Sequence, residues 1–244
     1  MHAQKPHGPV YFLSDLHLGA YPEAEKSSIP MLMDFLSMIE EHNGRLYIVG
    51  DFLDFWFEYR AVVPRRPFKL LSRLSTMVGN GCEVTYVAGN HDYWVGSFLA
   101  DDVGLATHTD ILETSIDGKR FLISHGDGIA TTGDFGYRAL KTVLHSRLAS
   151  AGFRLVHPDV GMGIARLVSK LSRKRSDKNN DRPDLEAFVK RQVKRGIDYV
   201  ILGHLHRPNL FEVGGTRCMV VGDWIDNFTY GLFTNGTLSL EKWK

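Results

Sequence analysis

Six short apolar runs, rich in β-branched and aromatic residues, recur along the chain: Val10 to Leu13, Leu46 to Val49, Val84 to Ala88, Phe121 to Ile123, Tyr199 to Leu202 and Cys218 to Val221. Runs of this length and composition fit strands covered on both faces. Between the first two, Ile29, Leu32, Phe35, Leu36 and Ile39 share one helix face, with Ser28 available as an N-cap. A second such face is formed by Phe68, Leu71, Leu74 and Val78. Strands alternating with helices predict an α/β fold. Near the end, Tyr230 to Thr234 and Thr237 to Leu240 flank Asn235-Gly236, a two-residue hairpin signal that predicts an antiparallel finish.

One stretch breaks the alternation. From about Gly133 to Arg195 the chain shows helical patterns and hardly any strand signal, with one face at Tyr137, Leu140, Val143 and Leu144 and another at Val160, Ile164, Leu167, Val168 and Leu171. It reads as a helical insertion within a single domain spanning residues 1–244. Ser172 to Arg182, carrying Arg173, Lys174, Arg175 and Lys178, reads as a basic loop, and Pro183 then opens a last helix through Leu185, Phe188, Val189 and Val193.

Composition narrows the function. With 29 basic against 28 acidic side chains there is no global positive field, so nucleic acid is not an expected partner. No obligate protein partner is inferred. The chain shows neither a signal-peptide pattern nor about 18 consecutive apolar residues, which gives a cytoplasmic expectation. The basic loop adds possible peripheral contact with the inner face of an anionic membrane. Two cysteines, Cys82 and Cys218, cannot build a disulfide framework. Eleven histidines stand out, and their positions carry the meaning.

Five of the apolar runs end in groups able to bind metal. Asp15-Leu16-His17 follows the first, Gly50-Asp51 the second, Gly89-Asn90-His91-Asp92 the third, His125-Gly126 the fourth and Gly203-His204-Leu205-His206 the fifth. Groups at the carboxyl ends of α/β strands converge even when far apart in sequence. Carboxylate, imidazole and amide donors without thiolate suit Mn²⁺, Fe²⁺ or Zn²⁺. Seven donors over-supply one ion and fit two ions ~3.5–4 Å apart, a clamp for in-line phosphoryl chemistry. His2, His7, His42, His108, His145 and His157 lack this setting and read as surface or packing residues.

Together, Asp15-Leu16-His17, Gly50-Asp51-Phe52-Leu53-Asp54, Gly89-Asn90-His91-Asp92, His125-Gly126-Asp127 and Gly203-His204-Leu205-His206 resemble the motif series of the calcineurin-like metallophosphoesterases. The resemblance implies a four-layer sandwich of two mixed β-sheets flanked by helices. It places one ion on Asp15, His17, Asp51 and His206, and the other on Asp51, Asn90, His125 and His204, with Asp51 bridging. It makes His91 the non-ligand that donates to the phosphate or leaving oxygen, with Asp92 beside it orienting the motif.

Gly50 to Tyr59, the helical insertion and Gly222-Asp223-Trp224-Ile225 resemble a narrower group, the diphosphatases of bacterial lipid A synthesis that split UDP-2,3-diacylglucosamine. That resemblance implies a nucleotide-linked diacyl glucosamine substrate and Mn²⁺ as the preferred ion. It assigns Asn90, His91, Asp134, Tyr137, Arg173 and Ser176 to substrate contacts. The insertion could offer an apolar cleft for acyl chains, or simply cover a sheet. Likewise Phe52, Phe55, Trp56, Phe57, Tyr59 and Trp94 could pack beneath the site or line its mouth. The sequence departs from the group at His91, where the best-known members carry Arg. The alternatives are a metallophosphoesterase for a nucleotide or another phosphoester, and a non-catalytic scaffold, which a complete donor set disfavours.

Overall fold

All four residues of β1 (Val10–Leu13) are buried because the strand lies between two apolar layers. Val10 and Phe12 face a second sheet, while Tyr11 and Leu13 face helices, as the two-residue strand period requires. In this computed structural model, residues 8–129, 147–173 and 182–244 are described, with backbone alone at 147–148, 165–166 and 168–173.

The first sheet contains β1, β2 (Arg45–Val49), β3 (Val84–Val87), β4 (Ala106–His108), β10 (Thr229–Thr234) and β11 (Thr237–Lys242) in the order β11-β10-β1-β2-β3-β4. Pairs from β1 to β4 are parallel, and β10 and β11 add antiparallel. The second sheet has β5 (Leu112–Ile116), β6 (Lys119–Ser124), β7 (Tyr199–Leu202), β8 (Asn209–Val213) and β9 (Thr216–Val220) in the order β5-β6-β7-β9-β8, with β6, β7 and β9 parallel.

Phe12, Val49, Val87, Phe121, Ile123, Ile201 and Phe233 fill the space between the sheets. Helices α1 (Pro22–Glu41) and α2 (Phe68–Gly79) cover the outer face of the first sheet through Leu32, Phe35, Leu36, Leu71 and Leu74. A short α3 (Phe98–Asp101) precedes β4. Between β6 and β7 lie α4 (Arg147–Phe153), α5 (Pro158–Arg173) and α6 (Arg182–Val193); α6 covers the second sheet through Leu185, Phe188 and Val189. Each such buried side chain contributes ~1.5–3 kcal/mol. The result is the expected four-layer arrangement of two mixed sheets between helices.

The six expected strands and the Asn235-Gly236 hairpin are present, with both turn residues at positive φ, 51° and 73°. Three details differ. Helix α1 begins at Pro22, not after Ser28, because proline at the first turn followed by Glu23 and Glu25 suits a helix N-terminus. Arg173 is the last residue of α5 and not part of a loop. Strands β4, β5 and β8 were not expected. The face at Tyr137, Leu140, Val143 and Leu144, and the basic residues 174–178, lie outside the described residues.

Candidate metal centre

The parallel strands deliver the donors by ending together. Asp15 and His17 leave β1, Asp51 leaves β2, Asn90 leaves β3, His125 leaves β6, and His204 and His206 leave β7. Five of these seven take left-handed backbone conformations: Asp15 (φ 53°), His17 (45°), Asp51 (49°), His204 (69°) and His206 (54°). Such conformations cost ~1–3 kcal/mol each and concentrate at functional sites. Loop hydrogen bonds hold them, including Asp15 N to Gly50 O at 3.2 Å, His17 N to Asp51 O at 2.9 Å and His204 N to Asp15 Oδ2 at 2.8 Å. Close approach needs glycine at two points. A Cβ on Gly89 would lie 2.1 Å from Asp51 Oδ1, and one on Gly203 would lie 2.0 Å from Ser14 Oγ.

Two donor clusters drawn wholly from these seven result, beside a third of His17, Asp54 and His91. Ligand atoms of Asp15, His17 and His206 lie within 4.8 Å of one another, and so do those of Asp51, His125 and His204. Asp51 Oδ2 stands between the clusters, 3.1 Å from His125 Nε2 and 3.7 Å from His17 Nε2. Asn90 Oδ1 is 3.2 Å from His125 Nε2. The seven expected ligands therefore come together, with the Asp51 carboxylate lying between the two clusters.

These groups fit cations. Asp15 Oδ1 and His17 Nδ1 are buried without a hydrogen-bond partner. His125 Nδ1 donates to Val49 O at 3.0 Å, so neutral His125 turns a lone pair at Nε2 toward Asp51 Oδ2 and Asn90 Oδ1, which are also acceptors. A cation is needed between them. Without one a proton takes the place: burial disfavours charge on His125, yet Asp51 holds its pKa well above the usual value. Burial acts likewise on His17, but Asp15, Asp54 and Asp51 push it up to about 10. Burial and nearby His125 pull His204 down to about 4. The donor set fits a dinuclear divalent metal site.

His91 lies at the rim. Its Nδ1 donates to Asp54 O at 3.0 Å, and its Nε2 is 4.0 Å from Asp51 Oδ2. Asp92 is fully buried and turned to the scaffold: its carboxylate accepts from Tyr86 Oη, Gly89 N and Leu53 N. Asp92 thus orients the Gly89–Asp92 loop, and all three of these partners are protein groups. Burial, together with the charge of Asp51, raises its pKa.

Two acidic residues join the site without having been assigned to it from sequence. Asp54 Oδ1 lies 3.7 Å from His17 Nδ1 and 3.6 Å from His91 Nδ1, which places one carboxylate against both rings. Its signal was the repeat of Asp three residues after Asp51. Asp223 Oδ2 lies 3.6 Å from His206 Nδ1. Its signal was another Gly-Asp directly after a buried run. Of the expected substrate contacts, Asn90 lies among the donors and His91 at their rim, whereas Asp134, Tyr137, Ser176 and the Arg173 side chain lie outside the described residues.

The aromatic residues divide. Phe52, Trp56 and Phe57 are buried. Phe55, Tyr59 and Trp94 are partly exposed and meet Phe153 of α4, whose ring centroid is 5.7 Å from Phe55, 6.4 Å from Tyr59 and 5.2 Å from Trp94. The insertion is thereby docked beside the His91 loop. On α5, Val160, Ile164 and Leu167 share one face and are 55%, 48% and 61% exposed, so this apolar face is not spent on covering a sheet. The side chains of Val168 and Leu171 are outside the described set. A cavity of about 200 Å³ adjoins His125, lined by Gly89, Tyr93, Asp110, Asp127 and Ile129 among others. His42 pairs with Tyr11 Oη at 2.9 Å, and His108 and His157 are exposed. His2, His7 and His145 are outside the described residues. Among the described residues no helix is long and apolar enough to cross a membrane.

The chain is similar to known proteins. A profile of the calcineurin-like phosphoesterases matches residues 8–208. A UDP-2,3-diacylglucosamine hydrolase of Porphyromonas gingivalis is 30% identical over 252 aligned residues, covering 95% of this chain and 96% of that protein. One of Neisseria meningitidis serogroup B is 29% identical, covering 93% and 95%. An archaeal phosphodiesterase of known structure superposes with a TM-score of 0.52 at 14% identity, covering 96% of this chain and 98% of the other, which supports the fold. With every donor of the motif series in place, the chain is a metal-dependent hydrolase and belongs to the calcineurin-like phosphoesterase family.

Proposed function

We propose that this hydrolase cleaves the pyrophosphate of UDP-2,3-diacylglucosamine, giving UMP and 2,3-diacylglucosamine 1-phosphate for lipid A biosynthesis. The observation that carries the reading is the end-to-end match with hydrolases of that name, 95% of this chain against 96% of the relative. Exposed apolar residues on α5 and the aromatic group around Phe153 add support, since they offer acyl chains a surface beside the His91 loop. The cavity at His125 opens beside the other cluster, where the nucleoside end would lie.

Two divalent ions, Mn²⁺ in this reading, supply charge stabilisation and a water of lowered pKa when bound. The chain's own groups do the rest. Asp15, His17, Asp51 and His206 form one ligand set and Asp51, Asn90, His125 and His204 the other. His91 donates its Nδ1–H to Asp54 O, so in the imidazolium form the second proton, on Nε2, would pass or hydrogen-bond to the departing sugar-phosphate oxygen and leave a neutral ring. Asp92 fixes the loop that presents His91. Asp134, Tyr137, Arg173 and Ser176 are assigned to the glucosamine and its phosphate by motif resemblance. Leu155, 89% exposed between α4 and α5, and the basic stretch that follows α5 suit peripheral contact with the cytoplasmic face of the inner membrane.

The test is UMP release from the purified substrate with added Mn²⁺. Release that is lost in Asp51→Ala and His125→Ala is expected. No release at any metal concentration, or clear preference for a cyclic nucleotide or chromogenic diester, would overturn the reading.

A further inference from the structure

His206 differs from its neighbours in how it is held. Asp15 and His17 are buried to within 1%, whereas the His206 side chain is one-third exposed and its backbone is left-handed at φ 54°. One face of the ring stacks on His17, with centroids 5.0 Å apart, and its Nδ1 edge is left for other groups to hold. Residues 223–227 supply them.

Asp223, 3% exposed, spends Oδ1 on its own turn, accepting from Ile225 N at 2.9 Å, Asp226 N at 2.8 Å and Asn227 N at 3.1 Å. Its Oδ2 accepts from Asn227 Nδ2 at 2.7 Å and faces His206 Nδ1 at 3.6 Å. Asn227 Nδ2 also donates to His206 O at 2.9 Å. The clasp therefore holds the His206 backbone by a hydrogen bond and sets a carboxylate oxygen opposite its ring. It is itself anchored, since the Trp224 ring is buried against Phe35 with centroids 4.9 Å apart and the Trp224 backbone N–H donates to Asp15 O at 3.2 Å.

We propose that Asp223, braced by Asn227, is the positioning residue of His206 and sets the ion affinity of the Asp15–His17–His206 cluster alone. The inference rests on the two-ion reading of the site. His206 Nε2 points into the cluster, 3.4 Å from Asp15 Oδ1 and 3.2 Å from His17 Nε2. To offer a lone pair there, the neutral ring must carry its proton on Nδ1, opposite Asp223 Oδ2. A carboxylate in that place selects this tautomer and orientation. Asp223→Asn keeps an oxygen for the three backbone donors but can turn an amide N–H toward the ring. The ring then favours the other tautomer, with its proton aimed at the ion.

The experiment is Mn²⁺ titration of the ion-free full chain by calorimetry, with electron paramagnetic resonance of the loaded protein and a thermal melt to confirm folding. Wild type should take two ions and show a spin-coupled pair. Asp223→Asn should hold one ion as wild type does, bind the other ~10–100-fold more weakly, and show isolated Mn²⁺ when sub-saturated. Asp223→Glu should recover part of the affinity. Wild-type affinity for both ions in folded Asp223→Asn, or equal weakening of both, would overturn the proposal. If Asp223→Asn fails to fold, Asn227→Ala carries the test, because it loosens both grips with the carboxylate intact, and unchanged affinities there overturn it. A wild-type chain that binds fewer than two ions would sink the two-ion reading and this proposal with it.

Discussion

Asp51 Oδ2 lies 3.1 Å from His125 Nε2 although the two residues leave strands of different sheets. The same oxygen is 3.7 Å from His17 Nε2, so replacing Asp51 removes a donor from both clusters at once. Asp51→Ala should lower kcat by at least ~10³-fold, because ions in such sites supply several kcal/mol of transition-state stabilisation. Ion stoichiometry and UMP release measured on the same preparation check this; near-normal turnover would exclude a bridging role.

Ion uptake should release protons. In the ion-free chain, burial opposes charge on His17, but its carboxylate neighbours push its pKa up to about 10, so at pH 7 the ring holds a proton where an ion must bind. Apparent affinity should therefore rise with pH through the neutral range and level off near pH 10. The same raised pKa stabilises the ion-free fold fully below the unfolded value of about 6.5, and that contribution is lost as pH climbs toward about 10. Calorimetry in two buffers of different ionisation enthalpy counts the protons. An affinity flat across pH 6–9 would contradict the assignment.

His91 should matter for turnover and not for ion content. His91→Ala is expected to reduce kcat by ~10²–10⁴-fold, the range for a lost general acid, while both ions stay bound. His91→Arg should restore part of the activity if charge at that place counts for more than a proton. Loss of an ion in His91→Ala would instead make His91 a ligand.

Gly89 tests the close packing behind the bridge. The Cβ of Gly89→Ala would sit 2.1 Å from Asp51 Oδ1 and 2.5 Å from Asp51 N, so the carboxylate must move. A stability loss of ~1–3 kcal/mol is expected together with weakened binding of both ions. Thermal melts with and without Mn²⁺ separate the two effects: the gap between the curves should shrink.

The exposed face of α5 allows a substitution with little structural cost. Because Ile164 and Leu167 are 48% and 61% exposed, Ile164→Asp with Leu167→Asp should change stability by less than about 1 kcal/mol. It should lower kcat/KM for the diacyl substrate by ~10–100-fold, since each buried methylene contributes ~0.8 kcal/mol. Hydrolysis of a small chromogenic diester should stay as it was. An equal loss on both substrates would show that the face supports the catalytic loops.

Most of the centre could be read from sequence because each donor directly follows a run that is buried on both faces, as with Tyr199–Leu202 before His204 and His206. Strands β4, β5 and β8 gave no such signal. Leu112–Ile116 and Asn209–Val213 lie at sheet edges and alternate between exposed and covered residues, so no apolar run marks them. Asp54 and Asp223 escaped assignment for a different reason. Their roles depend on which ring lies opposite, and those rings belong to other segments: His17 and His91 for Asp54, His206 for Asp223. Sequence spacing marks a carboxylate at a strand end but does not show what it faces.

Asp15 and the His204 backbone that hydrogen-bonds to it are separated by 189 positions, with one sheet contributing the first and the other sheet the second. Neither half of the polypeptide holds a complete donor set for either ion. During synthesis the chain must therefore extend past β7, and both sheets must close on each other, before it can bind ions as the finished enzyme does. Until then His125, His204 and His206 stay apart from Asp15, His17, Asp51 and Asn90, and neither ligand set is complete.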